Sequence, residues 1–355
     1  MKRTLALILC AALCMAAVFG AAESGDPDAP VVSDDSTAET ASPSNPQATV
    51  ETPEGFICRM TDSGTAEITG YAGTDLNAVI PDAVTFEEGR EPVPVTRLAA
   101  WAFEESPVVS VVVPYGVTEI GAFCFSECGS LEAIDLPESL RSLGTCAFIL
   151  CVKLKEVTLP SSLTAVGDNP FCYCTGLENI LLAQPDRADD AAEDDAFNQN
   201  RHPVLDFSDG LLIDREEGRL ITRLSTAEGQ RFTLPEGCAI IGAYALANNR
   251  QLTEVIIPAT VTAIGRYAFY HCTSLRSASV DASVETVGEH CFDLCHEELT
   301  ITASEGSAAW VWALANGIMA ETPAPAEIPD ALADPEAPIV VPDDEWTREE
   351  QPDAG

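Results

Sequence analysis

Between Val111 and Gly167 the apolar positions return every 23 residues. Short alternating runs, Val111 and Val113, Ile134 and Leu136, Val157 and Leu159, stand before Pro114, Pro137 and Pro160. Apolar–polar alternation rich in β-branched residues predicts half-buried strands, each ended by a proline that has no N–H for a ladder. Three and six residues after each proline come Val117 and Ile120, Leu140 and Leu143, Leu163 and Val166, and a glycine follows each pair (Gly121, Gly144, Gly167). Such a glycine implies positive φ or a close backbone approach. Then Phe125, Phe148 and Phe171 arrive, followed by Cys128, Cys151 and Cys174 and by Leu131, Leu154 and Leu177. The register returns with Val255, Ile257, Pro258, Val261, Ile264, Gly265, Phe269 and Cys272, and again with Phe292 and Cys295. One repeat cannot bury its own apolar face, whereas stacked neighbours share one continuous core, so a solenoid is predicted.

The pattern L-x-x-I-x-L-P-x-x-V-x-x-I-G-x-x-A-F-x-x-C resembles the BspA-like leucine-rich repeat of bacterial surface proteins, the Treponema pallidum type, over roughly residues 55–319. The resemblance implies an α/β leucine-rich-repeat solenoid with a curved parallel sheet on one face. It implies adhesion or host-protein binding and carries no reaction. Members of that family often interrupt the array with an Asp-Gly hairpin. Here Asp209-Gly210-Leu211-Leu212-Ile213 and Arg219-Leu220-Ile221 flank a turn at Arg215-Glu216-Glu217-Gly218, inside an insertion spanning 184–231. Where the array resumes, Leu246 takes the aromatic column and Asn249 the cysteine column.

The ends read differently. Met1–Ala22, with basic Lys2 and Arg3, an apolar stretch and Gly20-Ala21-Ala22, has the form of a cleaved secretory signal; an uncleaved anchor and a lipoprotein through Cys10 or Cys14 are the alternatives. Residues 23–54 and 320–355 are acidic and rich in Pro, so they are expected to be disordered, because they cannot bury enough apolar surface to offset ordering. A hairpin cap is expected at 55–80, around Asp62-Ser63-Gly64, and a capping helix at about 307–317, with Ser307 as N-cap and Val311, Leu314 and Ala315 inward. The charge of −39 leaves no route to nucleic acid through phosphate neutralisation, nor to an anionic membrane surface, and no membrane span is expected once the signal is cleaved.

Candidate chemistry is sparse. Thirteen cysteines in an exported chain suggest disulfides, yet five of them occupy one column that Ser106 and Asn249 share. A ladder of buried, reduced thiols is the preferred reading, with some disulfide pairing as the alternative. His290-Cys291 and Cys295-His296 do not follow structural zinc spacing, and the acidic run at 186–195 lacks the glycine-punctuated form of a calcium loop. No metal and no cofactor are expected. The chain contains neither G-x-S-x-G nor H-E-x-x-H nor a P-loop, and its four histidines form no catalytic set, so no catalytic residues are assigned.

Recognition remains. The positions two and four residues before each proline point out from the predicted sheet. Val112, Asp135, Thr158 and Leu181 are the candidate ligand-binding residues, expected to be nearly collinear, with Ile256 beyond the insertion. The expected partner is an extracellular protein or glycan, and the location secreted or at the cell surface. The alternative is a spacer module of the cell envelope.

Overall fold

The computed structural model describes residues 49–184, 202–226 and 230–323. The signal segment, the acidic run at 186–195 and most of both acidic ends lie outside the described residues. Within them the chain winds as a solenoid whose repeat is set by its strand pairing: Ser142 pairs with Glu119 and with Ala165, each 23 residues away.

Each coil carries two strands. The first precedes the proline column, as at Ser110–Val112, Ala133–Asp135, Glu156–Leu159, Arg231–Thr233 and Glu254–Ile257, and also at Asn179–Leu182 and Ser277–Val280, where Ala183 and Asp281 stand in the proline's place. Their inward residues, such as Val157, Leu159, Val255 and Ile257, are buried, which is what a period of two requires of a half-buried strand. The second strand precedes the glycine and is two residues long, as at Glu119–Ile120, Ser142–Leu143 and Ala263–Ile264. Both sets pair in parallel along the stack. The single sheet of the sequence reading is therefore joined by a second, and among the described residues the only helix is Ala308–Ala315.

The remainder of each coil is an arch rather than a helix. The residues two before and two after the column aromatic have positive φ in every coil: Phe123 (57°) and Glu127 (58°), Tyr267 (56°) and His271 (61°). Left-handed backbone costs a non-glycine residue about 1–2 kcal/mol. The arch offsets this with N–H groups aimed along the stack: Phe123 N donates to Thr145 O (3.0 Å), Phe125 N to Ala147 O (2.7 Å) and Glu127 N to Ile149 O (2.9 Å). Positive φ thus falls on side-chain-bearing residues and not on the column glycines. Those serve close approach: a Cβ on Gly144 would lie 2.3 Å from Ala122 N.

Inside the arch the aromatics stack coil on coil, Phe103–Phe125–Phe148–Phe171 with centroids 4.8, 5.2 and 5.6 Å apart, and Phe269–Phe292 at 4.8 Å. At the start, Phe56–Met60 and Ala66–Tyr71 form an antiparallel hairpin, and Thr49–Glu51 adds to it, so the expected linker 23–54 gives way to folded chain before its end. At the far end the helix is capped by Ser307, whose Oγ accepts from Trp310 N. Its inward residues are Ala309 and Ala313, with Trp312 edge-on to Phe292 at 5.7 Å; the expected inward residues Val311, Leu314 and Ala315 are exposed. Small residues let the helix lie close on the last coil, Trp310 and Trp312 pack half-buried against its core, and Val311 and Leu314 are left outside. A further strand, Met319–Glu321, pairs in parallel with Thr300–Thr302, so the expected tail from residue 320 yields its first residues to the fold.

The inserted strands Leu205–Ser208, Leu211–Asp214 and Arg219–Arg223 are antiparallel to one another, and the last pairs in parallel with Ile240–Ile241. This repeats the arrangement of the first cap, where Ala66–Tyr71 pairs in parallel with Val93–Leu98. Leu212 and Ile221 join the core of the first array while Leu211 and Leu220 join that of the second, as alternation along a strand dictates.

Candidate interaction face

The outward residues of the strands before proline form the candidate face. Ser110–Val112 lies between Asn77–Val79 and Ala133–Asp135, which sets Val79, Val112 and Asp135 side by side. Thr158 and Leu181 are direct partners in a separate two-stranded sheet. The four candidate residues are all exposed, Val112 at 40% and Leu181 at 41%. They fall into two pairs rather than one unbroken line, because no ladder joins Ala133–Asp135 to Glu156–Leu159. Ile134 and Leu136 are only half-buried where Val157 and Leu159 are buried, so this strand is seated less deeply than the next.

Leu76 and Val79 were missed as candidates. They are 47% and 64% exposed, and Val79 extends the apolar surface of Val112. The signal was available, since Val79 stands two residues before Pro81 as Val112 does before Pro114. Polar cross-strand pairs flank this surface: Ser110 Oγ donates to Asn77 Oδ1 (2.8 Å) and Asn179 Nδ2 to Glu156 Oε2 (3.3 Å). In the second array the face is polar. Arg231 bonds Glu254 (2.7 Å), which raises the arginine and lowers the carboxylate from their ordinary pKa, and Ser277, Ser279, Thr300 and Thr302 follow; Ile256 is half-buried between Thr233 and Ser279.

The thiols are placed for structure. Cys128 Sγ donates to Phe103 O (2.9 Å), Cys151 to Phe125 O (3.2 Å), Cys174 to Phe148 O (2.9 Å) and Cys272 to Leu246 O (3.1 Å). Asn249 does the same work, donating to Arg223 O (3.2 Å). Burial pushes the Cys128 thiol up to about 12 and raises Cys151 as well, so both stay neutral. All eleven described cysteines are unbridged.

Among the described residues no group of three or more His, Cys, Asp and Glu is set to hold a metal ion. His290 bonds Asp293 (2.7 Å) and stacks on Tyr267 (5.0 Å), while Cys291 is buried. No described helix is long and apolar enough to cross a membrane.

The model of the BspA type leucine-rich repeat region matches in six copies over residues 95–201 and 225–308, more than half of the chain. The chain belongs to the BspA-type leucine-rich repeat family. Among solved structures, this BspA-type chain is similar to a leucine-rich repeat protein from Bacteroides capillosus ATCC 29799, at 34% identity over 39% of this chain and 99% of that one (TM-score 0.36). It is also similar to the T. pallidum leucine-rich repeat protein, at 22% identity over 77% and 98% (TM-score 0.38). A leucine-rich cell surface protein from Faecalibacterium prausnitzii A2-165 matches at 21% identity over 74% and 96% (TM-score 0.32). No curated protein matches the sequence. In this BspA-type chain the candidate face lies on the first strand of each coil, and the arch follows the glycine after the second.

Proposed function

We propose that this chain is a non-catalytic binding protein of the cell exterior, using the outward strand face of its first array to hold an extracellular protein or glycan. The observation that carries the reading is the exposed apolar surface of Leu76, Val79 and Val112 beside Asp135, with Leu181 beside Thr158 further along. An apolar centre flanked by polar side chains on a rigid sheet is the make-up of a recognition surface. The exterior location rests on the signal-like Met1–Ala22.

The test is capture from panels of extracellular proteins and glycans, followed by Val112→Asp and Leu181→Asp. Each variant should weaken a captured ligand by about tenfold or more, the loss expected when an interface anchor is removed. Melting temperatures should barely move, since both side chains are exposed. Face variants that bind as wild type, with binding lost on removal of an acidic end, would make the solenoid a spacer.

A further inference from the structure

The break in the candidate face leaves backbone polar groups without their ladder partners. Where the ladder is whole, neighbouring coils are joined at both ends of the strand. Val113 N donates to Asp135 O (3.0 Å) at one end, and Glu132 N to Val109 O (2.8 Å) at the other. In the second array Leu234 N donates to Ile256 O (3.2 Å) and Thr253 N to Gln230 O (2.7 Å) in the same way. Between Ala133–Asp135 and Glu156–Leu159 neither bond forms: none joins Leu136 N to Thr158 O, and none joins Lys155 N to Glu132 O. Backbone groups are rarely left unpaired inside a sheet, so this slit is an exception within its own array. The ion pair of Lys153 Nζ with Glu132 Oε1 (3.7 Å) still ties the two coils across it.

Each end of the slit therefore offers one donor and one acceptor. Leu136 N–H stands opposite Thr158 O, and Lys155 N–H opposite Glu132 O, by the register of the equivalent bonds. A hydroxyl group accepts and donates at once, so a single hydroxyl satisfies either pair. A peptide N–H only donates and a peptide C=O only accepts, so neither does. The two ends are separated by four residues of extended chain, roughly 13 Å, which calls for a ligand of more than one sugar ring. The mouth is open, because the outward side chains along it are exposed and Ala133 is small. Asp135 and Thr158 flank it with further polar atoms, and Val112 and Leu181 stand beyond them on either side as apolar surface for the C–H faces of sugar rings.

We propose that the ligand of this face is an uncharged oligosaccharide whose hydroxyl groups enter the slit between Ala133–Asp135 and Glu156–Leu159. The inference rests on the binding face proposed above and names the class of ligand it takes. Charge selects a neutral sugar over an acidic one, since Glu132, Asp135 and Glu156 line the slit in a chain of net charge −39.

The test exposes the full chain to immobilised neutral glucans, mannans and galactans, and follows hydrogen exchange in the complex. A bound saccharide should slow exchange at the Leu136 and Lys155 amides by about tenfold or more, as a new hydrogen-bond partner does. Ala133→Leu, which narrows the mouth with an exposed side chain, should weaken capture by about tenfold or more, whereas Thr233→Leu, at an exposed position of the second array, should not. Affinity should barely change with added salt, because the ligand carries no charge to screen. Binding of a saccharide without slower exchange at these two amides overturns the slit as its site. Failure of every neutral saccharide, with an extracellular protein captured and then lost on Val112→Asp, overturns the ligand class and leaves the face standing. If neither Val112→Asp nor Leu181→Asp weakens anything captured, the face falls and this inference with it.

Discussion

His202 shows how one residue ties the insertion to the first array. Its Nε2–H donates to Pro160 O (3.0 Å), while Nδ1 accepts from Leu205 N (3.1 Å) and Val204 N (3.3 Å). That is a neutral imidazole with every site used, and protonation at Nδ1 would oppose both backbone donors. Burial holds its pKa below the ordinary 6.5, with Arg215 adding to the effect. The sign follows from linkage: as pH falls below 6.5 the unfolded chain takes up the proton first, so stability present above that value is lost until the folded-state pKa is passed. Denaturant melts at pH 7 and pH 5 should show His202→Gln less sensitive to that drop than wild type. At pH 7 the variant should itself be destabilised by about 1–3 kcal/mol, the cost of leaving buried donors without a partner. An equal pH response in both proteins would remove His202 from this role. The ladder thiols obey the same rule in another form, since each fills a small space and donates to a carbonyl of the coil before it.

At the scale of the element, the column glycine and the arch depend on each other. A Cβ at Gly144 would lie 2.3 Å from Ala122 N and 2.5 Å from Gly121 C, both backbone atoms that cannot swing aside. Gly64, in the first hairpin turn, has φ of 78° and open space around its Cβ position. Gly144→Ala should therefore cost more than Gly64→Ala: roughly 1–3 kcal/mol or above from overpacking in the first case, against about 1–2 kcal/mol of left-handed strain in the second. Urea melts of the two variants decide it, and a larger loss at Gly64 would reverse the reading. What was legible here was what the repeat sums over many coils. The strand–proline unit, the aromatic column and the ladder stand out because Val111, Val157 and Val255 give the same signal. The arch was not legible, because its left-handed positions carry Trp101, Phe123, Leu150 and Tyr173, residues that local preference places elsewhere. The terminal helix misled for a related reason: it occurs once, and Ala309 and Ala313 bury what Val311 and Leu314 do not. The candidate face was legible in its direction but not in its division, which depends on how deeply Ile134 and Leu136 sit.

At the scale of the whole molecule the decisive feature is the seam. Here both parallel ladders are absent at once: the strands before glycine stop after Ala165–Val166, and those before proline, already interrupted between Ala133–Asp135 and Glu156–Leu159, stop after Asn179–Leu182; pairing starts again at Arg219–Arg223 and Arg231–Thr233. The stack of phenylalanines stops there too, with Leu224 and Leu246 between Phe171 and Phe269. Side chains bridge the gap instead. Asn169 Nδ2 donates to Tyr244 O (2.6 Å), Arg219 Nη2 to Val166 O (2.8 Å) and Thr226 Oγ1 to Leu177 O (2.7 Å). Apolar packing through Leu212 and Ile221 adds to them. In a repeat protein the coupling between neighbours decides whether the array unfolds as one, and a junction without a backbone ladder is where coupling is weakest. Weakening it should therefore split the molecule into its two arrays. The double variant Asn169→Ala, Arg219→Ala should unfold in urea in two transitions, with the second array, which has its own cap in the inserted strands, free to melt apart from the first. Wild type, with the bridges intact, should unfold in fewer resolvable steps. Circular dichroism can follow total strand content, and hydrogen exchange can assign each step to residues before 185 or after 201. A double variant that melts in one transition with an unchanged denaturant slope would mean that the apolar contacts of Leu212 and Ile221 suffice to couple the arrays.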